Sequence, residues 1–154
     1  MIELTHVMDV TAFVGAPIEI GKTAAGVRRM IPILGGEVSG PRIKGRILPG
    51  GADYQLIRSD GVAELQARYV IETEEGSSIY VENSGLRHGP AEAMERLRRG
   101  EPVDPALVYF RTTTKFEVEI SEQTDTYSWL ARHLFICTGV RHPDRVQIAV
   151  YQVA

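Results

Sequence analysis

The run Gly50-Gly51-Ala52-Asp53-Tyr54 places a carboxyl side chain directly behind the most permissive backbone in the chain. Adjacent glycines reach φ values closed to other residues, so they can bend a strand or let a ligand approach the main chain. An aspartate aimed in this way can give or take a proton on a bound molecule. The same residues also suit a Pro-Gly-Gly turn with a solvated or backbone-capping aspartate. Arg111 is the natural counterpart. Turned inward it needs a carboxylate, from Asp53, Glu72 or an anionic substrate; turned outward it is an ordinary strand arginine on the face of Tyr109. Tyr69, Tyr127 and Trp129 carry ring donors that a pocket can use, although such rings also fill cores. We take Asp53 and Arg111 as the candidate catalytic pair. Tyr54, Tyr69, Glu72, Tyr127 and Trp129 are the candidate ligand contacts.

Other chemistry has weaker support. Gly35-Gly36-Glu37-Val38-Ser39-Gly40 is glycine-rich, but a strand pattern follows it and no Gly-Lys-Ser/Thr appears, so it reads as a hairpin and not a phosphate loop. His6, His88, His133 and His142 lack paired-ligand spacing, and no Gly-x-Ser-x-Gly elbow exists. Neither a metal nor a cofactor is expected. Cys137 sits in the apolar run Leu134-Phe135-Ile136-Cys137, where a core role outweighs a nucleophilic one.

The 154 residues suit one domain, residues 1–154, able to bury a core without staples. Hydrophobic residues at 44% and charged residues at 24% are globular values. A net charge of −3, with seventeen Lys and Arg scattered among twenty acids, argues against a nucleic-acid partner. No apolar stretch approaches the roughly 20 residues of a membrane span. A lone cysteine, and an acid in Met1-Ile2-Glu3-Leu4-Thr5-His6 where a signal peptide is basic, predict a cytoplasmic protein.

The elements that must position these side chains are mostly strands. Leu65, Ala67, Tyr69 and Ile71 alternate with Glu64, Gln66, Arg68 and Glu72; Phe116, Val118 and Ile120 alternate with Glu117 and Glu119; Val146, Ile148 and Val150 close the pattern. Further strands are expected over Ile2–Phe13, Pro17–Gly21, Val27–Leu34, Glu37–Leu48, Asp53–Arg58, Ser78–Asn83, Leu107–Thr113 and Leu134–Val140. Ser59-Asp60-Gly61 and Glu74-Glu75-Gly76 read as hairpin loops. Pro90 opens and Gly100 ends a helix over about 90–99, with Met94 and Leu97 as its inner face, lying outside the sheet or across one end. A shorter helical turn is expected over about 126–133. So many strands in a short chain hide their edges best by closing, which predicts an all-β, closed antiparallel barrel of about eight or more strands.

The same residues carry a family resemblance. Gly35-Gly36 with Gly40-Pro41, Gly45, and Leu48-Pro49-Gly50-Gly51-Ala52-Asp53-Tyr54 resemble the first half of a bacterial family known as domain of unknown function three-two-three-seven. Ala67-Arg68-Tyr69-Val70-Ile71-Glu72-Thr73, Ile79-Tyr80-Val81-Glu82-Asn83-Ser84-Gly85, Tyr109-Phe110-Arg111, Tyr127-Ser128-Trp129-Leu130 and Val150-Tyr151-Gln152-Val153 continue it over nearly the whole chain. Tyr54 keeps a ring where that family usually has tryptophan. The resemblance implies a single cytoplasmic β-barrel that often associates with itself.

Two functional readings follow. One is a cofactor-independent acid-base enzyme of isomerase, cyclase or lyase type. In it Asp53 moves a proton on a small aromatic or cyclic carbonyl compound, and Arg111 or Tyr69 stabilises the oxyanion. The other is a non-catalytic carrier or sensor barrel, with a packed interaction module as its blander variant.

Overall fold

The computed structural model describes residues 1–121 and 125–154. In chain order the elements are β1 (Leu4–Val14), β2 (Ile18–Thr23), β3 (Gly26–Ser39), β4 (Lys44–Ile47), β5 (Gly51–Ile57), β6 (Ala63–Thr73) and β7 (Ser78–His88). Helix α1 (Ala91–Arg98) follows, then β8 (Tyr109–Val118), β9 (Leu134–Arg141) and β10 (Arg145–Val153). Two 3-10 turns, Pro105–Leu107 and Ser128–Ala131, flank β8.

Neighbouring strands pair antiparallel in the order β1-β10-β9-β8-β7-β6, then β4 and β5, then β3, and β3 pairs back with β1. The sheet therefore closes into an eight-position barrel. β4 and β5 share one position between β3 and β6, and β2 adds to the outer edge of β3. Closure leaves few unpaired edges, which is why a chain with this much strand can do without a second layer.

The two halves of β3 have different neighbours. Val27–Ile33 lies along β5, whereas Gly36–Ser39 lies along β4 and β1. The expected hairpin at Gly35-Gly36 is thus a bend inside one long strand, and the reversal comes after Ser39. Gly36 has φ +154°, and a Cβ there would overlap the Thr11 carbonyl oxygen, so only glycine lets β1 approach this closely. Gly50, at φ +112°, makes the break between β4 and β5. Gly51 lies against the main chain of Arg68, so the double glycine serves strand packing.

Pairing registers set what points inward. Odd residues of β5, β6 and β7 face the interior with even residues of β8, odd residues of β9 and even residues of β10. One end of the interior is filled by apolar side chains, including Met8, Val38, Ile71, Val81, Phe116 and Phe135, all at most 3% exposed. Trp129 and Leu130, from the second 3-10 turn, complete that packing. The other end is polar. Helix α1 lies at this polar end, because Leu97, Arg98 and Gly100 line its mouth and Arg29 Nη2 donates to the Arg98 carbonyl at 3.2 Å. Its buried residues are Ala93 and Leu97, with Met94 half-buried, so the inner face is rotated slightly from the Met94–Leu97 stripe. No helix among the described residues is long and apolar enough to cross a membrane.

Candidate functional site

Asp53 faces the barrel interior because β5 sets it opposite Ala67 of β6 and Ile31 of β3, both inward positions. Its carboxyl breaks into the sheet's own hydrogen bonding. The Gln66 backbone N–H donates to Oδ1 at 2.9 Å, and Gln55 Nε2 donates to Oδ2 at 2.8 Å. The ladder between β5 and β6 is correspondingly unpaired at Tyr54 and Gln55. Burial raises the carboxyl's pKa, and the Gln55 hydrogen bond, the Arg87 charge, the Gln66 amide and the Arg141 charge pull it partly back. Asp53 is half-buried as a residue, and it lines an inner cavity of about 50 Å3 with Tyr69, Asn83, Arg87, Phe110 and Arg141.

That cavity shares Val14, Ile31, Gln55, Arg87 and Arg141 with a vestibule of about 270 Å3, whose outer rim includes Arg98, Arg99 and Asp144. Three arginines converge there from three strands: Arg29, Arg87 and Arg141. Arg29 donates from Nε to Glu19 Oε1 at 2.8 Å. Arg141 gives Nη1 to the His142 and Arg145 carbonyls. Arg87 is only 5% exposed, and among the described residues its Nε has no hydrogen-bond partner. Its guanidinium sits 5.6 Å from the Phe110 ring centre. Burial pushes Arg87 down to about 10, Asp53 opposes that shift, and Arg141 and Arg29 add to it. Gln55 Oε1 is likewise buried and unpartnered among the described residues.

Of the residues expected to form the site, the barrel brings together Asp53 and Tyr69. Tyr69 is 8% exposed, and burial raises its hydroxyl above the usual tyrosine range. Arg111 does not approach Asp53. It shares the outward face of β8 with Tyr109, and its Nη1 donates to the Phe110 carbonyl at 2.9 Å. The arginines that act on Asp53 are Arg87 and, more weakly, Arg141. Tyr54 is 46% exposed and also lies outside. Glu72 pairs with Arg46 on the outer wall at 2.9 Å. Tyr127 is half-buried and donates to Glu75 Oε2 at 2.5 Å. Trp129 packs edge-on against Phe135 in the apolar end, with the Arg42 guanidinium over its ring at 4.2 Å from the centre.

Arg111 and Tyr54 border a wide depression of about 1040 Å3 on the outer wall among Leu86, Tyr109, Ile136 and Tyr151. It is open to solvent. The interior cavity is far smaller, yet it brings Asp53, Tyr69 and Arg87 together with the unpartnered Arg87 Nε and Gln55 Oε1, which makes it the candidate site.

Cys137 is buried in the middle of the barrel, where its sulfur lies 3.1 Å from Thr114 Oγ1, and burial raises its thiol pKa. Such a thiol is a packing group. Groups of three or more side chains able to hold a metal are absent among the described residues.

Fold and site together define a closed antiparallel β-barrel with a polar cavity at one end. The chain belongs to the family described as "Protein of unknown function (DUF3237)", whose model matches residues 2–153. It is 49% identical over 152 residues to a UPF0311 protein of Rhodopseudomonas palustris (strain TIE-1), covering 99% of this chain and 97% of that one. A crystal structure of a conserved protein of unknown function from Rhodopseudomonas palustris superposes with a TM-score of 0.91 at 47% identity, covering 100% of this chain and 98% of the other. An enzyme from Penicillium herquei shares the fold at a TM-score of 0.72 and 17% identity, over 99% of this chain and 95% of that one.

Proposed function

We propose that the barrel is a cofactor-independent acid-base enzyme acting on a small cyclic or aromatic carbonyl compound held in its polar end. The observation that carries this reading is the Asp53 carboxyl, inward, raised in pKa by burial and facing the cavity beside Arg87. A carboxylate that has lost water accepts a proton more readily, which suits it to abstract one from carbon next to a carbonyl. Arg87 takes the role foreseen for Arg111. Arg87 borders both the inner cavity and the vestibule, and with its Nε buried and unpartnered it offers a developing enolate oxygen a guanidinium already desolvated and in place. Tyr69, held protonated, is a second donor on the same wall. The distant neighbour from Penicillium herquei is called an enzyme, so this barrel architecture is compatible with catalysis.

The test is deuterium exchange from heavy water into a panel of cyclic and aryl ketones, followed by NMR. The protein should accelerate exchange for members of the panel, and Asp53→Asn should lose at least about 100-fold of that rate with ligand affinity largely kept. Binding without exchange or any other turnover in the unmodified protein would leave a carrier or sensor and overturn the catalytic reading.

A further inference from the structure

We infer that the molecule held in the polar end carries a carboxylate, gripped between Arg87 and Arg141 at the floor of the vestibule. This deepens the acid-base reading by naming its substrate class and uses the same cavity.

The argument is one of charge. A buried guanidinium is costly unless a carboxylate neutralises it, and the protein neutralises one of the three arginines here. Glu19 meets Arg29 at 2.8 Å. Among the described residues no carboxylate lies within 4.0 Å of Arg87 or Arg141; Arg141 spends hydrogen bonds on backbone carbonyls, which carry no net charge. Asp53 acts on both from a distance, but its two oxygens are already occupied by Gln55 and Gln66. On the rim, Asp144 is exposed, accepts from Arg145 at 2.9 Å and reaches Arg141 only through its charge, while Arg98 and Arg99 lean on Glu95 and Glu101.

Two cations and one anion therefore face the cavity without a closing partner. A single further negative charge completes the balance, and a planar carboxylate matches the guanidinium fork in shape as well as in charge. A phosphate dianion would overshoot it beside Asp53. The Arg87 Nε, buried and unpartnered, is the donor left over for that carboxylate.

The experiment is calorimetric titration at fixed ionic strength with benzoate, its neutral counterpart benzamide, and inorganic phosphate. Benzoate should bind, with benzamide and phosphate each weaker by at least about tenfold. Arg87→Gln and Arg141→Gln should each weaken benzoate by at least about tenfold, with unchanged circular dichroism. Asp53→Asn, which removes a competing negative charge, should bind benzoate at least as tightly as the original. Equal affinity for benzoate and benzamide, no benzoate binding at concentrations of tens of millimolar, or tighter binding of phosphate would overturn the inference. Should either arginine variant fail to fold, the benzoate and benzamide comparison on the unmodified protein still decides. The two readings also fail separately. Benzoate binding without any deuterium exchange sinks the catalytic proposal and leaves the carboxylate; exchange on neutral ketones without benzoate binding does the reverse.

Discussion

Replacing Arg87 with methionine should make the barrel more stable while spoiling its site. Burial pushes the guanidinium down to about 10. An ordinary arginine titrates well above that, and each tenfold in proton affinity is worth about 1.4 kcal/mol, so the folded chain holds the charged form at a cost of about 3 kcal/mol. The sign fixes the window. A cation with a lowered folded pKa destabilises at every pH below about 10, and the cost fades only as pH rises through that value. At neutral pH all of it is present. Methionine has similar length and no charge to desolvate, so it removes the cost and keeps much of the contact with Phe110. It also takes an attractive charge away from Asp53, which returns part of the gain. The expected net is about 1–3 kcal/mol of added stability in urea melts at pH 7, with an unchanged slope, or roughly 3–9 °C in Tm. Benzoate binding should vanish at the same time. A loss of about 3 kcal/mol or more is what breaking a satisfied buried pair costs, and that result would refute the reasoning by making Arg87 a structural partner of Asp53.

Other outcomes follow from the same barrel. Gly36→Ala should cost at least about 3 kcal/mol or abolish folding, because the new methyl meets the Thr11 carbonyl and backbone on both sides is paired; a stable, native-like variant would contradict the close approach of β1 and β3. Asp53 holds its proton more tightly folded than unfolded, so its stabilising share is present below about pH 4 and is lost as pH rises through its folded value. Urea melts should therefore favour Asp53→Asn over the original increasingly as pH rises from about 4 through the folded value, and a difference that does not change with pH would be evidence against the raised pKa.

Much of the barrel could be read from alternation, since the inward apolar runs of β6, β8 and β10 show the two-residue period of a half-buried strand. Asp53 was legible for a local reason, its place after the double glycine. The arginines were not. The strand signal from Ser78 fades at Asn83, because Ser84-Gly85 looks like a turn, yet β7 continues to His88 and its odd-numbered parity carries Arg87 inside. Arg141 likewise extends β9 one residue past the expected end at Val140, and Arg29 lies within Arg28-Arg29-Met30, where neighbouring charges hide the parity. Charged residues at strand ends resemble loop, whereas a barrel mouth is built from strand ends. Extending the parity of Ile79, Val81 and Asn83 by two steps was the available signal. Arg111 differs for the converse reason: its alternation with Tyr109 left either face open to it, and Phe110, Thr112, Thr114 and Phe116 are the inward set of β8.

The bond from the Gln66 amide to Asp53 has a consequence for how the wall behaves. Hydrogen bonds between strands have acceptors whose charge never changes, so a sheet is ordinarily indifferent to protons. Here one rung ends on an acceptor that gains and loses a proton, and its strength rises and falls with that event. Each proton that Asp53 gives up tightens β5 against β6, and each proton it takes loosens them. The wall that carries Ala67 and Tyr69 into the cavity is thereby mechanically linked to whether Asp53 holds a proton.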